Sequence, residues 1–69
     1  MLVHIFIEIS GKIDSRKLYE LIEQDDINLT DMGDTVLVYG DCYALQASQI
    51  VYNCALFGEV KATITHQAG

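Results

Sequence analysis

Residues 2–9 have the sequence Leu-Val-His-Ile-Phe-Ile-Glu-Ile, and this stretch decides which fold the rest of the chain can adopt. Its odd-numbered residues are all β-branched and aliphatic, whereas its even-numbered residues mix apolar and polar side chains. The first set is Val3, Ile5, Ile7 and Ile9; the second is Leu2, His4, Phe6 and Glu8. Because side chains alternate between the two faces of a strand, this pattern predicts a β-strand with one face in a core.

The pattern changes to helical spacing after Ser10-Gly11-Lys12, which interrupts the strand. Asp14 is a suitable helix N-cap, and Ile13 and Leu18 are placed to form a hydrophobic staple around it. The helix is predicted to run from Ser15 to about Gln24. Its core-facing stripe is predicted to contain Leu18, Leu21 and Ile22.

A β-hairpin is predicted next, with strands at Ile27–Thr30 and Thr35–Gly40. The turn between them is Asp31-Met32-Gly33-Asp34. A hairpin folded about Met32-Gly33 pairs Leu29 with Val36 and Ile27 with Val38, which places four aliphatic side chains on one face.

The remaining sequence predicts a second helix and a last strand. Asp41 is predicted to cap a helix that runs to about Phe57 and is ended by Gly58. The strand Glu59–His66 alternates in the same way as the first strand. Antiparallel pairing of these two strands aligns Ile5 with Ile64 and Ile7 with Ala62, and it places Lys61 opposite Glu8.

The predicted order of elements is therefore βαββαβ over one domain, residues 1–69. Right-handed crossovers place both helices on the same face of a four-stranded antiparallel sheet, with the first and third strands in its centre. This α+β arrangement resembles the ferredoxin-like sandwich. The resemblance is one of architecture, and many unrelated functions share that scaffold.

Composition excludes several classes of partner. The net charge is −6, whereas proteins that bind nucleic acid or anionic membrane surfaces normally carry a basic surface. Two cysteines cannot build a disulfide framework, and their spacing does not predict a zinc site, so no metal and no cofactor is predicted. The amino terminus has no basic segment or cleavage site typical of a signal peptide, which makes the cytoplasm the expected location.

Small size favours association with another chain. A domain of 69 residues buries only about 60% of the surface that its unfolded chain exposes, so its core is marginal. Two groups of apolar residues are surplus to a monomer. One lies on the open face of the sheet, the other on the second helix, which has no charged side chain from residue 42 to residue 58. The first group is Leu2, Phe6, Leu37 and Tyr39; the second is Leu45, Tyr52 and Leu56.

These groups predict a homodimer, or a contact with another protein, and they favour the sheet face slightly over the helix. Replacing Phe6 and Tyr39 with serine is then expected to produce a monomer. Two interpretations that need no partner remain open. In one, the second helix simply packs against its neighbouring element within one chain; in the other, the sheet face is an ordinary half-exposed surface. RNA binding by the sheet is disfavoured, because the third strand lacks the basic-glycine-aromatic pattern of RNA-recognition motifs.

Other residues allow alternative functions, namely ligand binding or thiol chemistry instead of protein association. Regulatory domains of the ACT type, which bind small molecules, are similar in element order and in a glycine at the first strand-to-helix turn, here Gly11. Cys42, predicted in the first turn of a helix, is a candidate reactive thiol, although the neighbouring Asp41 opposes a thiolate. No nucleophile, base and orienting group can be placed together, so catalysis is not predicted.

The remaining polar groups predict ordinary surface roles. His4 is expected to be an exposed strand residue. An acidic run is expected to be a solvated face or a site for a basic protein. It contains Glu20, Glu23, Asp25, Asp26, Asp31 and Asp34.

Overall fold

The structure is a computed structural model that describes residues 1–22 and 26–66. Its elements follow the predicted βαββαβ order. Their bounds are β1 Leu2–Ser10, α1 Ser15–Ile22, β2 Ile27–Asp31, β3 Thr35–Tyr43, α2 Ala44–Ala55 and β4 Glu59–His66. The predicted end of the first helix at Gln24 lies outside the described residues.

The four strands form one antiparallel sheet in the order β2-β3-β1-β4. Both helices contribute to a single core with the same face of this sheet. The ferredoxin-like arrangement expected from the sequence is confirmed. The long strands β1 and β3 lie in the centre because each has a neighbour on both sides.

The alternation in β1 has the predicted consequence for burial. Its four odd-numbered aliphatic residues are fully buried, and its even-numbered residues are exposed. Each helix contributes one narrow buried face to the core. Buried helix residues are Leu18, Ile22, Ala47, Ile50 and Cys54. Leu21 is 52% exposed, so its predicted core position is wrong; the short helix α1 buries only the two residues spaced by one turn.

The predicted register between β1 and β4 is confirmed. Ile5 pairs with Ile64, Ile7 with Ala62 and Glu8 with Lys61. As an edge strand, β4 is covered less than β1, and its side chains at positions 61 to 66 are all exposed.

The predicted pairing of the hairpin is wrong by two residues. Leu29 pairs with Val38, and Ile27 pairs with Gly40. The turn is centred on Gly33-Asp34, because a two-residue hairpin loop needs a positive φ, and Gly33 supplies one of 91° at its first position. The Asp31 carboxylate accepts a hydrogen bond from the Gly33 N–H at 2.8 Å. A shift of two residues leaves each side chain on its predicted face.

The predicted start of the second helix at Asp41 is also wrong. Strand β3 continues through Gly40, because its pairing with β1 extends to Cys42 opposite Val3 and Tyr43 opposite Leu2. Gly40 is required there: φ is +147°, and an added Cβ would clash with the Asp26 carbonyl oxygen. Helix α2 begins after Tyr43, whose N–H donates to the Gln46 side-chain oxygen at 3.1 Å.

The start of α1 is as predicted. The Asp14 carboxylate accepts hydrogen bonds from the backbone N–H groups of Arg16 and Lys17, at 3.2 and 3.3 Å. These bonds satisfy donors that have no partner within the helix.

Candidate contact surfaces

Helix α2 presents an apolar surface to solvent on the side opposite the sheet. Leu45 is 85% exposed, Tyr52 67% and Leu56 65%. We call the surface formed by Leu45, Gln49, Tyr52 and Leu56 the α2 outer face. The inner face of the same helix packs in the core through Ala47, Ile50 and Cys54. The interpretation of a helix covered by its neighbour therefore does not describe Leu45, Tyr52 and Leu56 within the described structure.

The α2 outer face is uncharged. No Asp, Glu, Lys or Arg occurs from residue 42 to residue 58, although the whole chain carries a net charge of −6. A surface helix of a monomer normally exposes charged residues. None of the helices among the described residues is long and apolar enough to cross a membrane.

A shallow hollow lies at the middle of this surface. Its volume is about 320 Å³, and it is lined by Ser48, Gln49, Tyr52 and Asn53. The lining is neutral and combines one aromatic ring with three hydrogen-bonding side chains.

The second candidate surface is the sheet face away from the helices, which we call the open sheet face. Leu2 is 47% exposed and Phe6 38%, while Leu37 and Tyr39 are half-buried. Tyr43, 59% exposed, lies opposite Leu2 and belongs to the same face. Sequence analysis missed Tyr43 because it placed this residue in the helix rather than at the end of β3.

Two aromatic residues of the open sheet face, Phe6 and Tyr39, contact neighbours within the chain. Phe6 lies opposite Tyr39, with ring centroids 6.4 Å apart and planes tilted by 30°. The Tyr39 hydroxyl is 3.3 Å from the Thr30 hydroxyl, within hydrogen-bonding distance. Phe6 and Tyr39, at the centre of this face, thus already have partners in the monomer.

Polar and charged residues interrupt the open sheet face on both sides of the aromatic pair. On one side the His4 Nδ1 lies 2.9 Å from an Asp41 carboxylate oxygen, and both side chains are about half exposed. On the other side Glu8 is opposite Lys61. His4 is therefore an exposed strand residue, as predicted, and it contacts a carboxylate across the strand pair.

Gly11 has a structural role in its turn. Its φ is +120°, a conformation that favours glycine, and an added Cβ would touch nothing within 4 Å. Its N–H donates to the Asp34 carbonyl oxygen at 2.8 Å, so this donor is already used. Ligand binding at Gly11, the ACT-like alternative, stays a prediction.

Cys42 does not lie in the first turn of a helix, which removes the reason for expecting an activated thiol. It is a buried residue of β3, and burial, together with the Asp41 charge, raises the pKa of its thiol. Burial raises the pKa of the Cys54 thiol to about 11. Both thiols are free, and their neutral form is favoured at pH 7.

The acidic groups within the described residues do not assemble a metal site. No group of three or more His, Cys, Asp or Glu side chains there could hold a metal ion. Glu23 and Asp25 of the predicted acidic run lie outside the described residues, whereas Asp31 stabilises the hairpin turn.

Comparison with protein families, curated proteins and solved structures finds no match to this chain.

Proposed function

We propose that this protein is a self-associating interaction module whose subunits meet through the α2 outer face. The observation that carries the proposal is the high exposure of Leu45, Tyr52 and Leu56 on a helix without charge. Burying a leucine side chain that was in water is worth about 1.5–3 kcal/mol. In the monomer these residues obtain little of that energy.

Charge favours a second copy of the same chain as the partner. Two copies with a net charge of −6 repel each other wherever their acidic surfaces approach. The α2 outer face allows them to meet without bringing like charges together. The open sheet face, in contrast, would bring two copies of Glu8, Lys61 and Asp41 into the contact.

The contact is small, which sets the expected affinity. One helix face buries less than the roughly 800 Å² per partner of a standard interface. The total accessible surface of the monomer is 4717 Å², so even a modest contact covers a substantial part of it. We expect a symmetric dimer with a dissociation constant in the range of about 1–100 μM.

Location in the cytoplasm is part of the proposal. Two buried free thiols are in keeping with a reducing compartment.

Sedimentation equilibrium over a concentration series tests the proposal. Wild type is expected to shift from monomer to dimer as its concentration rises, and Leu45→Glu is expected to stay monomeric. Leu2→Glu is the matched control, since it adds the same charge to an exposed leucine of the open sheet face. A wild type that is monomeric at high micromolar concentration would show that self-association is wrong.

A further inference from the structure

The α2 outer face has the spacing of a helix-packing seam. Its members are at positions 45, 49, 52 and 56, which are separated by four, three and four residues. This alternation repeats every seven residues and is the spacing by which two α-helices pack side by side. The three large apolar members are exposed, so residues 1–22 and 26–66 supply no partner that covers the seam.

The seam is complementary to an inverted copy of itself. If α2 is laid antiparallel on a second α2 with Leu45 opposite Leu56, Gln49 falls opposite Tyr52 and Ser48 opposite Asn53, because each pair of numbers has the same sum. Leucine then meets leucine at both ends, and polar groups meet in the middle. The hollow lies at this midpoint, so the hollows of the two copies face each other in this arrangement.

The parallel arrangement is less favourable. It brings Gln49 against its own copy and Tyr52 against its own copy, and it places the two positive helix ends side by side and the two negative ends side by side. Antiparallel helices instead place the positive end of one helix beside the negative end of the other.

We infer that two copies of this chain pair through α2 in antiparallel orientation, with Leu45 of each subunit against Leu56 of the other and Tyr52 against Gln49. The inference rests on the proposed function and adds the partner segment and its register. Gln49 is a positioning residue in this arrangement, because a polar residue inside an apolar seam fixes register.

Disulfide cross-linking tests the register. Leu45→Cys and Leu56→Cys proteins are oxidised mildly, each alone and mixed in equal amounts. Both positions are exposed, and each protein carries only one of the two introduced cysteines. The positions are also about 16 Å apart along one helix, too far for a disulfide, so a disulfide between them must join two chains. We expect a covalent dimer in the mixture and little in either protein alone. Wild type with its two buried cysteines, and a mixture of Leu2→Cys with Leu56→Cys, are the controls.

The possible outcomes separate this inference from the proposed function. Cross-linking of each protein alone, but not preferentially in the mixture, would show a parallel pair and overturn the inference. A wild type that dimerises by sedimentation while no cysteine pair cross-links would also overturn it and leave the proposed function standing. Absence of any dimer overturns both.

Discussion

The α2 outer face and the open sheet face both expose apolar side chains, but the second has a central aromatic pair, Phe6 and Tyr39, with side-chain contacts inside the monomer. Phe6 and Tyr39 lie opposite each other across two strands, and Tyr39 also reaches the Thr30 hydroxyl. Leu45 and Tyr52 project from a helix whose contacts with the core come from its other side. Apolar composition alone therefore does not identify a contact surface; what matters is whether the residues already stabilise their own chain.

The strongest test of this comparison is the introduction of charged residues on the α2 outer face. The double variant Leu45→Glu/Leu56→Glu is expected to raise the dimer dissociation constant more than about 100-fold, because each subunit loses two buried leucines worth about 1.5–3 kcal/mol each. Sedimentation equilibrium measures the constant.

Mixing supplies the control for that variant. Leu45→Lys/Leu56→Lys is expected to be monomeric alone and to form a mixed dimer with the glutamate protein, because opposite charges then face each other. If both variants dimerise as wild type does, while Phe6→Ser/Tyr39→Ser becomes monomeric, the sheet face is the contact and the preference drawn from the sequence is correct.

The second test measures monomer stability. Phe6→Ser/Tyr39→Ser is expected to lower the free energy of unfolding by about 1–2 kcal/mol, because it removes an aromatic cross-strand pair and its apolar contacts. Leu45→Ser/Tyr52→Ser is expected to change it by about 0.5 kcal/mol or less per site, as for most exposed positions. Urea denaturation measures both free energies of unfolding, at a protein concentration below the dimer dissociation constant so that only the monomer is compared. Equal losses for the two double variants would show that the two surfaces do not differ as described.

The sequence predicts most of what decides the fold, and its failures have local causes. Alternation over residues 2–9 and 59–66 is strict, so face and register of β1 and β4 follow from it. The predicted pairing of the hairpin was wrong because a turn centred on Met32-Gly33 and a turn centred on Gly33-Asp34 place the same side chains in the core. Burial alternation therefore cannot distinguish them, and the positive φ at Gly33 decides.

The candidate surfaces could be predicted only in part. The sequence identified Leu45, Tyr52 and Leu56 as surplus apolar residues, but whether they pack on another element depends on where that element lies in the fold. The end of β3 was missed because Gly40-Asp41 resembles a strand end followed by an N-cap. Pairing with β1 carries the strand to Tyr43, and long-range pairing of this kind overrides a local signal.

A third test uses the buried side of α2. In the unfolded chain Cys54 ionises near its ordinary pKa of 9.0, whereas burial raises the pKa in the folded protein to about 11. The unfolded state therefore releases a proton first as pH rises, and stability is lost between pH 9 and about 11. We expect a loss of about 1 kcal/mol from this group between pH 8 and pH 10.

Cys54→Ala is expected to make the pH dependence shallower, and Leu45→Ser, which removes no titrating group from the outer face, is expected to leave it unchanged. Urea denaturation at a series of pH values measures both. A wild-type slope retained in Cys54→Ala would assign the loss to other groups.

The smallest expected effect belongs to the contact between His4 and Asp41 on the open sheet face. Both side chains are about half exposed, and a polar contact exposed to water in this way contributes about 0–1 kcal/mol. His4→Gln should lower the free energy of unfolding by about 0.5 kcal/mol or less. It should leave the dimer dissociation constant within about threefold of wild type, because the pair lies on the face that α2 contact leaves free. His4 lies between Leu2 and Phe6 along the exposed side of β1, so a dimer built on that face would bury this pair. A tenfold or larger change in the dissociation constant of His4→Gln, with its stability unchanged, would therefore move the contact from the helix to the sheet.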